Sequence, residues 1–265
     1  MELPGEILSE KAIRRYLRCD GEKISFIIKE EVGSTNDEAK ILAQKGAEEI
    51  TVVLAESQTK GRGRLGRKFF SPKSTGCYMS ILLRPRYTSE ECTLLTTLAA
   101  VAVAEAIEKL TNKKTDIKWI NDVYIDGKKV SGILTESGFA KDIKYLDYAV
   151  VGIGVNIALP DGGFPKEIES IAGSITAENT EIKNRLIAEI LNAFIADYYQ
   201  LEKKHFLQRY KKKLMFIGEG IKVLQGESSF SARAIDIDDM CRLIVETSDG
   251  ETLTLNSGEI SVRKG

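Results

Sequence analysis

Gly61-Arg62-Gly63-Arg64-Leu65-Gly66-Arg67-Lys68 sets three arginines and a lysine among three glycines. Such a segment is too charged to bury and too glycine-rich to be regular. Its use is to wrap a polyanion, since guanidinium groups bind phosphates and carboxylates through paired hydrogen bonds and glycine brings backbone N–H groups close. The glycine spacing matches G-x-G-x-x-G, but a dinucleotide site needs a helix next, and Lys68-Phe69-Phe70-Ser71-Pro72-Lys73-Ser74 is turn-rich with no helical period. A Walker A loop is excluded because no Lys-Ser/Thr pair follows Gly66. Taken alone, the run reads as a solvated basic loop or a nucleic-acid patch.

Working outward, the 265 residues allow one large domain or a large domain with a small partner. Lysine and arginine number 38 against 39 aspartates and glutamates, so the balance argues against a general nucleic-acid binder and leaves phosphate attraction to local charge. Cys19, Cys77, Cys92 and Cys241 are scattered without a C-x-x-C, which points to free thiols in a reducing cytoplasm. No signal-like N-terminus and no membrane-length apolar run is present. The one histidine, His205, lies in a charged helical pattern and reads as a surface residue, which excludes histidine-base and histidine-cluster chemistry.

Before the loop, residues 7–18 predict a short amphipathic helix and 24–28 a strand. Ser34-Thr35-Asn36-Asp37-Glu38 holds overlapping capping boxes that start a helix ending at Gly46. Strands are expected at 51–55 and 77–83, and an apolar-faced helix from Ser89 to Leu110. Strand patterns follow at 115–119, 122–125, 129–136 and 146–156, the middle two joined by an Asp126-Gly127 hairpin turn. An irregular, glycine-punctuated segment then leads into one long helical stretch, 182–214. Five short strand patterns from Ile217 to Arg263 suggest a small β-barrel, with the boundary near 216: a larger domain over 1–216 and a second over 217–265.

Four further segments bear on the loop. Ser34-Thr35-Asn36 sets small polar side chains at a helix start, where a plain cap is the alternative. Gln58 supplies an amide, Lys118-Trp119-Ile120-Asn121-Asp122 places a lysine at a strand end, and Gly152-Ile153-Gly154-Val155-Asn156 offers bare backbone.

Together and in this order, Ser34 to Asn36, Glu56 to Lys68, Lys118 to Asp122, Val130 to Leu134 and Val151 to Asn156 resemble biotin protein ligase. Ile120 stands where that family usually has proline, and Leu65 where a third arginine is common. The resemblance implies an α+β fold, a mixed central sheet packed with helices of the class II synthetase-like biotin/lipoate ligase type, followed by an SH3-like β-barrel. It implies that biotin and ATP form biotinyl-5′-AMP and that biotin then passes to a lysine of a biotin carboxyl carrier protein, with Mg²⁺ taking part.

By the same resemblance, Lys118 and Arg64 are the catalytic groups, Lys118 lying between the biotin carboxylate and the α-phosphate. Biotin falls to Ser34, Thr35, Asn36 and Gln58, to the loop residues Gly61, Arg62, Gly63 and Arg64, and to Lys118. Gly132, Gly152 and Gly154 let its bicyclic ring lie on backbone. The nucleotide falls to Arg64, Arg67, Phe69, Lys118, Asn121 and Asn156, and a metal to Asp122, for which a plain β-turn role is the alternative. The loop is expected to be disordered until ligand closes it as a lid. The 33 residues before Ser34 are too few for the DNA-binding domain of some relatives, so no DNA is expected, and exposed sheet edges allow a homodimer. A lipoate or octanoate ligase and a non-catalytic biotin binder are the alternatives.

Overall fold

The computed structural model describes residues 7–85, 88, 91–139, 146–177, 182–225, 228–256 and 259–262. The expected helix start at Ser89 and strand end at Arg263 lie outside them. The first helix among the described residues, α1 (Glu10–Arg14), has under half the expected length, with Ser9 capping it through a side-chain bond from the Ala12 amide. Strand β1 (Ser25–Val32) then crosses through α2 (Thr35–Gln44) to a parallel partner, β2 (Thr51–Gln58). A parallel pair requires such a crossover.

After the arginine loop come β3 (Gly76–Leu83), α3 (Cys92–Thr111), β4 (Asp116–Lys118), β5 (Asp122–Ile125), β6 (Lys128–Phe139) and β7 (Leu146–Asn156). These strands form one seven-stranded mixed sheet in the order β1-β2-β3-β7-β6-β5-β4. The β5–β6 hairpin turns at Asp126 and Gly127, both at positive φ, as the Asp-Gly pair predicts.

The sheet is sandwiched. Alternation along β2 sends Val52 and Leu54 to the main core with α3, and Val53 to a smaller core with Ala39 and Ala43 of α2. Strand β3 is buried along its whole length, which explains its unbroken apolar run. Fully buried Leu98, Phe194 and Ile107 anchor the main core, each contributing about 1.5–3 kcal/mol by leaving water.

The long helical stretch is two helices, α4 (Lys183–Tyr198) and α5 (Phe206–Lys213), separated by a 3-10 turn that ends with Lys204 in the left-handed region. Apolar periodicity continues through the break, so the sequence reads as one helix where the backbone turns a corner. Strands β8 (Gly220–Gln225), β9 (Ser228–Ile237), β10 (Leu243–Thr247), β11 (Thr252–Leu255) and β12 (Glu259–Val262) form a second, antiparallel sheet in the order β11-β10-β9-β8-β12. The turn between β4 and β5 is held from two sides: the Trp119 indole donates to the carbonyl of Cys241, between β9 and β10, at 2.9 Å, and the hydroxyl of Tyr210 on α5 donates to the Ile120 carbonyl at 3.0 Å.

Candidate functional site

One cavity of about 510 Å³ opens where α2, the arginine loop and the ends of β5–β7 meet. Arg62, Arg64, Arg67, Lys68, Lys118 and Lys129 reach its wall against a single carboxylate, Asp122. Arginine and lysine side chains fixed along a concave wall suit anionic ligands.

The helix start is fixed differently from the expected capping box. Ser34 occupies the N-cap but makes no side-chain cap bond. Gln58 takes over: its Oε1 accepts from the Thr35 amide at 2.9 Å and faces the Thr35 hydroxyl at 3.1 Å, while its Nε2 donates to Ser71 Oγ at 3.0 Å. The buried Ser80 hydroxyl donates to Asn36 Oδ1 at 2.6 Å and lies 2.8 Å from Thr35 Oγ1. Asn36 Nδ2 donates to the Leu134 carbonyl at 3.2 Å and to Glu136 Oε2 at 2.8 Å. Both amide hydrogens of Asn36 are therefore used, and it shapes the wall while Ser34, only 4 % exposed, keeps its hydroxyl clear of the cap.

The strand glycines serve the protein's own side chains first. A Cβ at Gly152 would stand 2.1 Å from Asn36 Oδ1, and one at Gly154 would stand 2.5 Å from the Phe69 ring. At these two positions Asn36 and Phe69 stand against the bare backbone, and all four residues line the cavity. Phe69 also meets Tyr78 edge-on, at 6.5 Å between ring centroids, which sets its orientation.

The arginine loop is a folded hairpin. The Phe69 amide donates to the Gly61 carbonyl at 2.9 Å and the Gly63 amide to the Arg67 carbonyl at 2.7 Å, with a 3-10 turn, Arg64–Gly66, at the tip. In this conformation the cross-loop bonds pair backbone groups at the base and near the tip of the loop, a pairing that glycine content does not announce. Gly61 is buried at the base and does not reach the cavity wall, unlike Gly63. Arg62 forks onto Asp37 at 2.5 and 2.7 Å, whereas Arg64 donates to Asn121 Oδ1 at 3.2 Å.

Lys118 ends β4, and Asn121 and Asp122 follow across a tight turn. Asn121 is fixed from both sides: its Nδ2 donates to the Ile133 carbonyl at 2.7 Å, and its own carbonyl accepts from the Ile133 amide at 3.0 Å. The Trp119–Ile120 peptide between them is cis. Asp122 Oδ1 lies 2.7 Å from Lys129 Nζ, which also lies beside Gly132. Mg²⁺ takes six oxygens at short range, and among the described residues no group of three or more acidic, cysteine or histidine side chains could hold a metal. A protein-held magnesium at Asp122 does not fit: one carboxylate is present, and a lysine already neutralises it.

Of the expected residues, all but Gly61 line this one cavity. Asn156 does so while its Nδ2 donates to the Gly173 carbonyl at 3.0 Å, tethering the irregular segment. That segment supplies wall residues the sequence did not flag: Phe164, Ile168, Ile171 and Ala172. Lys129, Tyr124 and Ile260 were also missed; burial pushes the Tyr124 hydroxyl up to about 12, and Ile260 comes from the second sheet. The lysine had a signal, since Lys129 stands three residues before Gly132 on a hairpin already assigned to the site. Ile260 had none, because only the packing of two sheets brings it there.

Residues 30–156 match the model of the biotin/lipoate A/B protein ligase family, and residues 216–263 match that of the biotin protein ligase C-terminal domain. Bifunctional ligase/repressor BirA of Bacillus subtilis is 35 % identical over 252 residues, covering 93 % of this chain and 77 % of that protein. The chain belongs to the biotin protein ligase family. Biotin--[acetyl-CoA-carboxylase] ligase of Mycobacterium tuberculosis is 28 % identical over 87 % of the chain and 86 % of its own length. The Aquifex aeolicus biotin protein ligase, solved in complex with biotin and ATP, superposes with a TM-score of 0.75 at 30 % identity, covering 91 % of this chain and 99 % of that one. The family's catalytic fold and its SH3-like C-terminal module account for the two sheets.

Proposed function

We propose that the chain ligates biotin to a lysine of a biotin carboxyl carrier protein of a carboxylase, using ATP and passing through biotinyl-5′-AMP. The observation that carries this reading is the cavity itself. The arginine loop, Lys118 and the polar start of α2 face one volume, with Arg64, Arg67, Lys68 and Lys118 on its wall.

In the first step a biotin carboxylate oxygen attacks the α-phosphorus and pyrophosphate leaves. Bringing an anion against a polyanionic nucleotide is the barrier, so positive groups fixed in advance supply most of the catalysis. Lys118 bridges the attacking carboxylate and the α-phosphate, and Arg64 with Arg67 takes the departing phosphates. Asn121, whose Oδ1 accepts from Arg64, orients that guanidinium. Ser34 and the second Gln58 amide hydrogen meet the polar ring of biotin, because unpaired buried polar groups cost about 1–3 kcal/mol each. In the second step the carrier lysine attacks the mixed anhydride and AMP leaves.

Magnesium, if used, arrives on the nucleotide. The domain boundary is placed at 216/217, ahead of β8. A reducing, cytoplasmic setting accords with the free thiols of Cys19, Cys77 and Cys241. Among the described residues no helix is long and apolar enough to cross a membrane. Strand β1, an outer strand of the first sheet, offers an edge through which a homodimer would pair.

The test is release of pyrophosphate from ATP with biotin, lipoate or octanoate as the acid. Release with biotin alone supports the reading, and release with lipoate or octanoate at equal rate assigns the site to the other branch of the family.

A further inference from the structure

We propose that Arg62 is a positioning residue that, with Asp37, Lys40 and Glu136, seats the arginine loop on α2 and β6, and that it does not bind the phosphates. The proposal rests on the adenylation reading for what the loop does, while the seat is defined by the side chains alone.

Arg62 Nη1 and Nη2 reach the two Asp37 oxygens at 2.5 and 2.7 Å, and Nη2 also lies 3.3 Å from Glu136 Oε2. Lys40 Nζ closes the ring, 3.0 Å from Asp37 and 2.9 Å from Glu136. Two cations and two carboxylates leave no net charge. A guanidinium held in a two-pronged bond has committed the geometry by which arginine grips phosphate. Consistent with this, hydrogen bonding from Arg62 leads the effects that hold the Asp37 carboxyl at about 2, against burial pushing it up. Burial also pushes the Glu136 carboxyl up, but Lys40 and Asn36 outweigh it and hold it below its ordinary range.

The seat communicates with one side of the cavity. Glu136 Oε2 accepts from Asn36 Nδ2 as well as from Arg62, and Asn36 Oδ1 occupies the space over Gly152. Releasing Arg62 therefore loosens the loop base and the Asn36 wall together. Arg64, by contrast, is among the described residues in no ion pair and is held by a neutral amide. Losing the seat is expected to weaken biotin binding, the side that Asn36 shapes, while ATP binding stays near the parent value.

The experiment compares the parent with Asp37→Asn, Asp37→Glu and Arg62→Ala. It reads amide exchange of Gly63, Arg67 and Phe69 without ligand, and KM for biotin and for ATP from pyrophosphate release. Asp37→Asn and Arg62→Ala should each speed loop exchange and raise the biotin KM by about tenfold, as loss of positioning does. Asp37→Glu should restore most of both, and the ATP KM should move less than about twofold. Arg62→Ala raising the ATP KM, with Asp37→Asn at parent values in both readouts, would overturn the proposal. Should Asp37→Asn not fold, Arg62→Lys, which keeps charge but loses the fork, is read in the same way. If the parent itself releases no pyrophosphate, the adenylation reading fails, and the exchange rates still decide whether the seat exists.

Discussion

In the first half of the arginine loop, Arg62 has both oxygens of Asp37 within 2.7 Å; in the second half, Arg64 has an amide oxygen at 3.2 Å. The base is bonded across its backbone and anchored to a helix and a strand. The tip is a 3-10 turn with Leu65 74 % exposed. Two arginines in an identical Gly-Arg context thus meet opposite partners: Arg62 faces two carboxylates, Arg64 a neutral amide oxygen. Glycine spacing cannot reveal this, because the difference lies in what stands opposite each guanidinium.

The largest expected effect falls on the charge-bearing side. Lys118→Ala should lower the rate of adenylation about 10³-fold with the unfolding temperature unchanged, as removal of a preorganised transition-state donor does. Arg64→Ala should cost about 10²-fold in the same assay. Equal losses from Arg62→Ala and Arg64→Ala, with identical KM patterns, would erase the distinction between the halves.

Gly152→Ala sharpens the comparison from the anchored side. Its methyl must displace Asn36, whose Oδ1 stands 2.1 Å from the new atom, so the biotin KM should rise about tenfold while ATP binding holds. A smaller signature is electrostatic. The Asp37 carboxyl should titrate near 2 and return toward about 4 in Arg62→Ala. Because the folded value is depressed, the seat's contribution is complete above about pH 4 and fades only as pH falls toward 2. Loop exchange corrected for intrinsic rates should therefore show no transition between pH 5 and 8. The smallest effect belongs to the exposed pair Lys73–Glu30, near the loop but outside the seat: Lys73→Ala should leave the unfolding temperature and both KM values at parent levels.

The pieces of the site that touch ligand-sized space were legible where short motifs carry chemistry: the loop, Lys118 to Asp122, and the β7 glycines. The β5–β6 hairpin was legible because Asp126-Gly127 suits positive φ at both turn residues. What escaped was long-range. Arg62 and Glu136 are 74 residues apart, and Asn36 and Glu136 are 100 apart, so nothing local marks them as partners. Phe164, Ile168 and Ile171 sit in a segment whose apolar residues follow no helical or strand period, and their place on the wall comes from bonds such as Asn156 to Gly173. The break between α4 and α5 escaped because the left-handed turn at Lys204 leaves the apolar pattern intact.

The most direct measurement is of what the cavity holds after one turnover. The parent is mixed with biotin and ATP in the absence of carrier, freed of excess ligand, denatured, and the released small molecules are weighed by mass spectrometry. Biotinyl-5′-AMP at about one equivalent from the parent and none from Lys118→Ala is the predicted result. Unreacted biotin beside intact ATP, in the same amount from both proteins, would show a binding protein without the chemistry and would contradict the account.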